Sequence, residues 1–298
     1  MRSLLLAGVT VVGLGITLPA QAADMTVKAP VAPPPAVLNW SGFYVGLHAG
    51  ATSRSEGVDY VLQDPSGGAP FTSRSFSFCG VPAGVNVPVP QPNPFDLRTT
   101  CSDTVGFIAG AQIGYNWQID KWVVGGEADI SWRKLEDHFF GVFGSNPTFG
   151  LPMGSQPGDT VFMRTKQGTL GTVRARIGYA PSNWMVYATG GLAIGKVQHQ
   201  VTEVLSPGPN CVFGCRTVAD SSTHVGWTVG AGVELGVTRN VSIVAEYLYV
   251  DLGDTTLTLA PTSGFFRNTS TTTFHDRSHI VRAKLNWGFG TMPIWAND

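Results

Sequence analysis

The sequence predicts an all-β fold: an eight-stranded antiparallel transmembrane up-and-down β-barrel with short periplasmic turns and long extracellular loops. Three observations carry this. Eight segments alternate apolar with polar residues, their connections are alternately very short and very long, and the chain opens with an export signal. Successive side chains of a strand point to opposite faces, so alternation gives a sheet one apolar and one polar face. A closed sheet with an apolar outside, aromatic rims and a polar inside is what a bilayer requires.

Residues 1–22 read as a secretory signal peptide. Arg2 supplies the positive start, Leu4 to Leu18 the uncharged apolar stretch, and Ala20-Gln21-Ala22 the small-x-small cleavage site. That stretch is shorter than the roughly 20 residues a helical span needs. Residues 23–39 form a proline-rich periplasmic leader containing Pro30, Pro33, Pro34 and Pro35, stiffened toward an extended conformation and expected to have no fold of its own. The barrel is expected over 40–289, followed by a C-terminal extension, 290–298.

Strands are expected near 42–52, 105–118, 122–132, 168–179, 184–197, 225–236, 241–251 and 279–289. In the second, Phe107, Ala109, Ala111, Ile113, Tyr115 and Trp117 would face lipid, and Gly106, Gly110, Gln112, Gly114 and Asn116 the interior. The sixth repeats the scheme, with Trp227, Val229, Ala231, Val233 and Leu235 outside. Tight turns are expected around Ile119-Asp120-Lys121, Ala180-Pro181-Ser182-Asn183 and Thr238-Arg239-Asn240, residue types that suit hairpins. An even strand number returns both chain ends to the periplasm. Trp117, Trp122, Trp184, Trp287 and Phe289 all lie beside short turns or the last strand's end, and would form a periplasmic aromatic girdle.

The composition excludes several classes. A formal net charge of −1 without a basic cluster gives no footprint for nucleic acid. The 37 glycines argue against long helices, where each interior glycine costs about 1 kcal/mol relative to alanine. Four cysteines in an exported chain favour disulfides. Three pairings are open; Cys79–Cys101 and Cys211–Cys215 are favoured because each would staple its own loop. No second Cys/His pair stands near Cys211 and Cys215 at zinc spacing, so no metal site is expected.

The inward positions collect Glu127, Asp129, Glu234 and Glu246 against Arg174, Arg176, Arg282 and Lys284, with His48 and Gln112 alongside. Eight strands leave an interior just wide enough for side chains. Such charges pair into a plug, or line a narrow pore through the space left by inward glycines at 106, 110, 114, 230 and 232. No compact His-x-Ser pattern with a nearby acid marks a hydrolase, and no phosphate-binding glycine loop is present. His275 and His279 flank Asp276 at the root of the last loop, where solvation is the simpler reading than metal binding.

The segments Trp40-Ser41-Gly42-Phe43-Tyr44-Val45-Gly46-Leu47-His48-Ala49-Gly50, Ala245-Glu246-Tyr247-Leu248-Tyr249-Val250-Asp251-Leu252-Gly253 and Val281-Arg282-Ala283-Lys284-Leu285-Asn286-Trp287-Gly288-Phe289 resemble a known family. It comprises the small outer-membrane barrels of rhizobial-type alphaproteobacteria, the RopB-like or outer-membrane immunogenic proteins of the porin family. The resemblance implies an eight-stranded barrel in the outer membrane of a Gram-negative bacterium, without enzymatic activity or cofactor. Family members usually end on the aromatic residue of the last strand, which resembles the signal read by the barrel-assembly machinery; here Phe289 matches and Gly290 to Asp298 run beyond it. The expected role is structural, in envelope integrity and surface display of loops. A narrow diffusion channel for small solutes or ions, or a loop-mediated adhesin, is the alternative. Expected partners are outer-membrane lipid and lipopolysaccharide, the assembly machinery and an extracellular partner reached through the loops, with the protein a monomer.

Overall fold

The computed structural model describes residues 38–54, 58–63, 71–72, 105–142, 160–204, 214–262 and 268–289. All belong to the compact unit Val37–Asp298. Residues 1–22, expected as a signal peptide, residues 23–37 of the expected leader, the expected extension 290–298, and Cys79, Cys101 and Cys211 lie outside the described residues.

The strands are β1 (Gly42–Arg54), β2 (Val58–Gln63), β3 (Phe71–Thr72), β4 (Val105–Ile119), β5 (Trp122–Val142), β6 (Thr160–Tyr179), β7 (Trp184–Val204), β8 (Cys215–Gly236), β9 (Val241–Leu259) and β10 (Thr269–Phe289). Eight of them, β1 and β4 through β10, close a ring in which β10 pairs back with β1, every pair antiparallel. Closure leaves no sheet edge in the bilayer and satisfies the backbone internally. β2 prolongs β1: Arg54↔Ser278 and Val58↔Phe274 keep one register against β10. β3 then folds back on β2.

The periplasmic end is laced turn to turn. Asp120 takes a left-handed backbone, φ 53°, in the β4–β5 turn, a conformation aspartate tolerates better than most side chains. Ala180 N–H donates to the Lys121 carbonyl at 2.7 Å, Gly236 N–H to Asn183 at 2.8 Å, and Gly288 N–H to Asn240 at 2.8 Å. Phe43, Tyr115, Trp117, Trp122, Tyr179, Trp184, Trp287 and Phe289 stand exposed around this end. Neighbouring rings touch edge to face, Phe43–Tyr115 at 4.7 Å and Trp122–Tyr179 at 5.4 Å. A second aromatic band lies further up on β5, β8, β9 and β10: Trp132, then Trp227 against Tyr249 at 5.5 Å, and Tyr249 against His279 at 5.4 Å. Trp122 and Trp132 are about ten residues apart on β5, or ~26 Å along the membrane normal for a strand tilted by ~40°, matching the ~25 Å apolar band of such barrels.

Two expectations are corrected. The strands run well beyond the expected upper ends, so the extracellular connections after β5, β7 and β9 shrink to 143–159, 205–214 and 260–268. Above the second aromatic band the alternation inverts: Thr217, Ser221, Thr223, Thr256 and Thr258 face out, while Val201, Leu257, Leu259, Phe274 and Val161 pack inside. This half is built like a soluble barrel because water, rather than lipid, surrounds it. The leader's end is also not free of the fold. Leu38 packs under Gly236, where a side chain would clash with it, and joins Trp40, Val123, Met185, Tyr187 and Val244 in a cluster closing the periplasmic end.

Candidate functional site

The eight charged residues expected inside the barrel are all buried, and the structure brings them into one network. Arg174 on β6 is its hub, paired with Glu127 and lying 3.0 Å from Asp129 and 3.2 Å from Glu246. Arg282 donates from Nε to Glu246 at 2.7 Å and lies 3.2 Å from Asp129. Lys284 Nζ reaches Glu127 at 2.6 Å and Glu246 at 2.9 Å. Arg176 pairs with Glu234 at 2.5 Å, and Glu234 also accepts from Ser242 at 2.6 Å and Asn286 at 3.1 Å. His48 lies 2.6 Å from Gln112 and 2.9 Å from Ser131. Desolvating eight ions is costly, and only dense mutual pairing with extra hydrogen bonds offsets it.

The inward glycines are occupied by their neighbours. The Tyr44 ring fills the space beside its cross-strand partner Gly114, and Tyr187 does the same at Gly232. Leu248 covers Gly230 at 2.6 Å and His48 covers Gly110 at 2.7 Å from where a Cβ would stand. Both tyrosines then serve the network: Tyr44 donates to Glu127 at 2.7 Å and Tyr187 to Glu246 at 2.8 Å. Arg176 lies over the Tyr187 ring, 4.2 Å from its centroid.

Above the charges the lumen continues in layers. An apolar layer of Ile108, Leu170, Ala193, Val197, Leu248, Val250, Leu252 and Ile280 comes first. A polar belt follows, and above it an apolar layer of Val58, Tyr60, Val161, Met163, Val201, Leu257, Leu259 and Phe274. The order is the same along β6, β7 and β10. At the top, Arg216 donates to Glu203 at 2.7 Å and to the carbonyls of Ala260 at 2.9 Å and Asn268 at 2.7 Å, tying both ends of the last loop.

This ring of eight strands, with an apolar belt between two aromatic rims and charges within, decides the family, and residues 20–289 match the outer membrane protein beta-barrel domain. The chain belongs to the outer-membrane β-barrel family. It is similar to the 31 kDa outer-membrane immunogenic protein of Brucella melitensis biotype 1, 33% identical over 297 residues, covering 97% of this chain and 100% of that one. The 22 kDa outer membrane protein of Rhizobium leguminosarum bv. viciae is 32% identical over 148 residues, 50% of this chain and 54% of its own. Among solved structures, Neisserial surface protein A aligns over 84% of this chain and 98% of its own at 15% identity, TM-score 0.32. The protein is therefore an outer-membrane protein of the Gram-negative type.

In this outer-membrane barrel the polar belt is the part that sequence reasoning missed. Asp276 Oδ2 lies 2.9 Å from His199 Nε2, whose other nitrogen is 3.1 Å from Thr165. Thr255 donates to Asp276 at 3.3 Å and stands 3.3 Å from His224 Nε2. Asp220, Ser222 and His224 occupy alternate inward positions of β8; Ser222 donates to Asp220 at 2.5 Å and sits 2.9 Å from His224. The Ser222 hydroxyl thus lies between Asp220 and His224. The strand-periodic Asp-x-Ser-x-His spelling was the available signal.

The expected grouping of His275, Asp276 and His279 is split by the strand: Asp276 points in and both histidines point out. His279 meets the Tyr247 hydroxyl at 2.6 Å, while His275 bridges Asp254 at 2.8 Å and Asp59 at 3.3 Å. Trp117, Trp122, Trp184, Trp287 and Phe289 lie exposed at the periplasmic rim. Of the cysteines only Cys215, the first residue of β8, is among the described residues.

Proposed function

We propose that this barrel is a closed structural element of the outer membrane, contributing to envelope integrity and holding its loops at the cell surface, without catalysis. The observation that carries the reading is the filling of the inward glycines by Tyr44, Tyr187, Leu248 and His48 within a fully paired charge network. The space a conducting path would need holds side chains instead, and two apolar layers above it disfavour ions. Cleavage after Ala22, the disulfides Cys79–Cys101 and Cys211–Cys215, insertion by the barrel-assembly machinery and a monomeric state complete the proposal.

The test is conductance of the exported chain in a planar bilayer, with insertion verified independently. A silent membrane is the expected result. Discrete current steps whose selectivity changes in Arg282→Glu would replace this reading with that of a narrow diffusion channel lined by the same charges.

A further inference from the structure

The outside of the barrel just above the second aromatic band is charged unevenly. On β5–β7 it carries Lys134, Arg164, Lys166 and Lys196 against one acid, Glu136, which is already engaged by Arg164 at 2.6 Å and Lys166 at 3.5 Å. Across the barrel, β2, β9 and β10 present Asp59, Asp251 and Asp254 beside Arg277. The basic side therefore attracts anions and the other side does not.

Two bulges at one level bring β5, β6 and β7 out of register on the basic side, around Gly168. Between Ser131↔Leu170 and Leu135↔Gln167, β5 spends three residues where β6 spends two. Between Gln167↔Val197 and Leu170↔Gly195, β6 spends two residues where β7 spends one, Lys196. Lys134 and Lys196 are thereby placed on either side of Gly168, with the Lys196 Cβ 4.0 Å from where a Gly168 Cβ would stand. The Gly168 carbonyl is turned to accept from Arg133 Nε at 3.2 Å, which holds the bulge. With strands about 4.8 Å apart the two lysines stand ~10 Å apart, and their stems can converge on one phosphate over the glycine step. Among the described residues neither has a carboxylate within ion-pair distance. Directly below, two residues down the same face, are exposed Trp132 and Ile194, and beneath them Ile130 and Leu192.

We propose that this pair of lysines over the glycine step binds a phosphorylated glycolipid of the outer leaflet, a lipid A headgroup, with its phosphate between Lys134 and Lys196 and its acyl chains along Trp132, Ile194 and Leu192. An apolar wall ending in a pair of cations is complementary to an amphiphile of that kind, whereas a soluble anion would use only the cations. The site depends on the outward face being in lipid and is independent of whether the lumen conducts.

The test uses the exported chain in nanodiscs of neutral lipid, titrated with bisphosphorylated lipid A and with the same lipid after removal of its phosphates. Bound lipid is counted by native mass spectrometry, and insertion is checked separately by the mobility shift of the folded barrel on unheated gels. The expected result is at least tenfold weaker binding of the phosphorylated lipid to the Lys134→Gln/Lys196→Gln variant, with Arg239→Gln at the periplasmic turn unchanged. Equal binding by both lipids, an unaffected lysine variant, or complete displacement by millimolar inorganic phosphate would each overturn the proposal. Absence of the mobility shift in the parent chain would instead reject the membrane topology.

Discussion

Tyr187 on β7 lies across Gly232, its direct partner on β8, with its ring Cζ and hydroxyl 2.6 Å from where a Gly232 side chain would begin. The ring is held there from both sides, by the hydroxyl on Glu246 and by Arg176 over its face. Gly232→Ala must therefore displace the tyrosine and loosen two members of the charge network. Overpacking of this kind costs about 1–3 kcal/mol, and urea unfolding of the inserted barrel should show it. Gly190→Ala, where the nearest atom is a carbonyl oxygen at 3.5 Å, should be far milder.

The outward face changes solvent along each strand, so the same substitution should have different effects at different heights. Ala111 and Ala231 face lipid between the two aromatic bands, and Thr258 faces water above them. Arginine at either alanine should cost about 2–4 kcal/mol if it lies at the membrane midplane. Thr258→Arg should leave unfolding in lipid vesicles within about 0.5 kcal/mol of the parent. Equal effects at the three positions would mean that the apolar band is misplaced.

His275 lies above the membrane-spanning part of β10 and clips β2 to β9 through Asp59 and Asp254. Partial burial alone would lower its pKa; hydrogen bonds to Asp254 and Asp59, and the charge of both, outweigh that and raise it above the usual histidine value. A raised folded pKa means stability that is fully present below about pH 6.5 and is lost as pH rises through the higher folded value. Hydrogen exchange in 58–63 should therefore accelerate as pH rises through that window, after correction for the intrinsic rate. His275→Gln should abolish the step, while Arg277, engaged by Asp251 at 3.0 Å, keeps its charge throughout.

Glu246 receives Arg282, Lys284, Arg174 and Tyr187, which fills its acceptor sites. Glu246→Ala takes one carboxylate from three buried cations, which keep Glu127 or Asp129, and leaves them under-compensated, so it should destabilise by about 3 kcal/mol. Removing Lys284 as well relieves one of them, so the double variant should be more stable than the sum of the single losses predicts, with a coupling of about 0.5–3 kcal/mol. Additive losses in unfolding experiments would mean that the two groups act separately.

The bilayer-crossing part of the fold was legible because lipid enforces one rule. Phe107, Ala111, Ile113 and Trp117 alternate with Gly110, Gln112, Gly114 and Asn116, and the eight lumen charges follow from the same parity. Above the membrane the rule reverses, and the register shifts at Ser131/Leu135, Gln167/Leu170 and His275/Arg277 change the inward parity of β6 and β9 while β5 and β10 keep theirs. Gly253, with φ 84°, moves β9 from even to odd inward positions, so Leu252 and Leu257 share the interior. A window of fixed period sees the pattern dissolve there, and the upper strands and the polar belt are mistaken for loop. The belt's long-range partners, such as His199 and Asp276, come together only through closure of the ring.

Arg133 shows what that hidden belt costs. It is fully buried on β5, and only its Nε has a partner, the Gly168 carbonyl at 3.2 Å; both terminal nitrogens lack one among the described residues. Gln167 and Asp137, at the same level, also keep unpartnered polar atoms. An unpaired buried charge is expensive, so an apolar residue of similar length should be tolerated or better. Arg133→Met is expected to leave stability unchanged or to raise it by up to about 4 kcal/mol, whereas Arg174→Met, which deprives three carboxylates of a partner, should lose about 3–5 kcal/mol. Urea unfolding of both variants in the same lipid decides the matter. A loss at Arg133 as large as at Arg174 would mean that its two free nitrogens bind water or an ion in the membrane-inserted protein, and that the belt is a filled chamber rather than a strained layer.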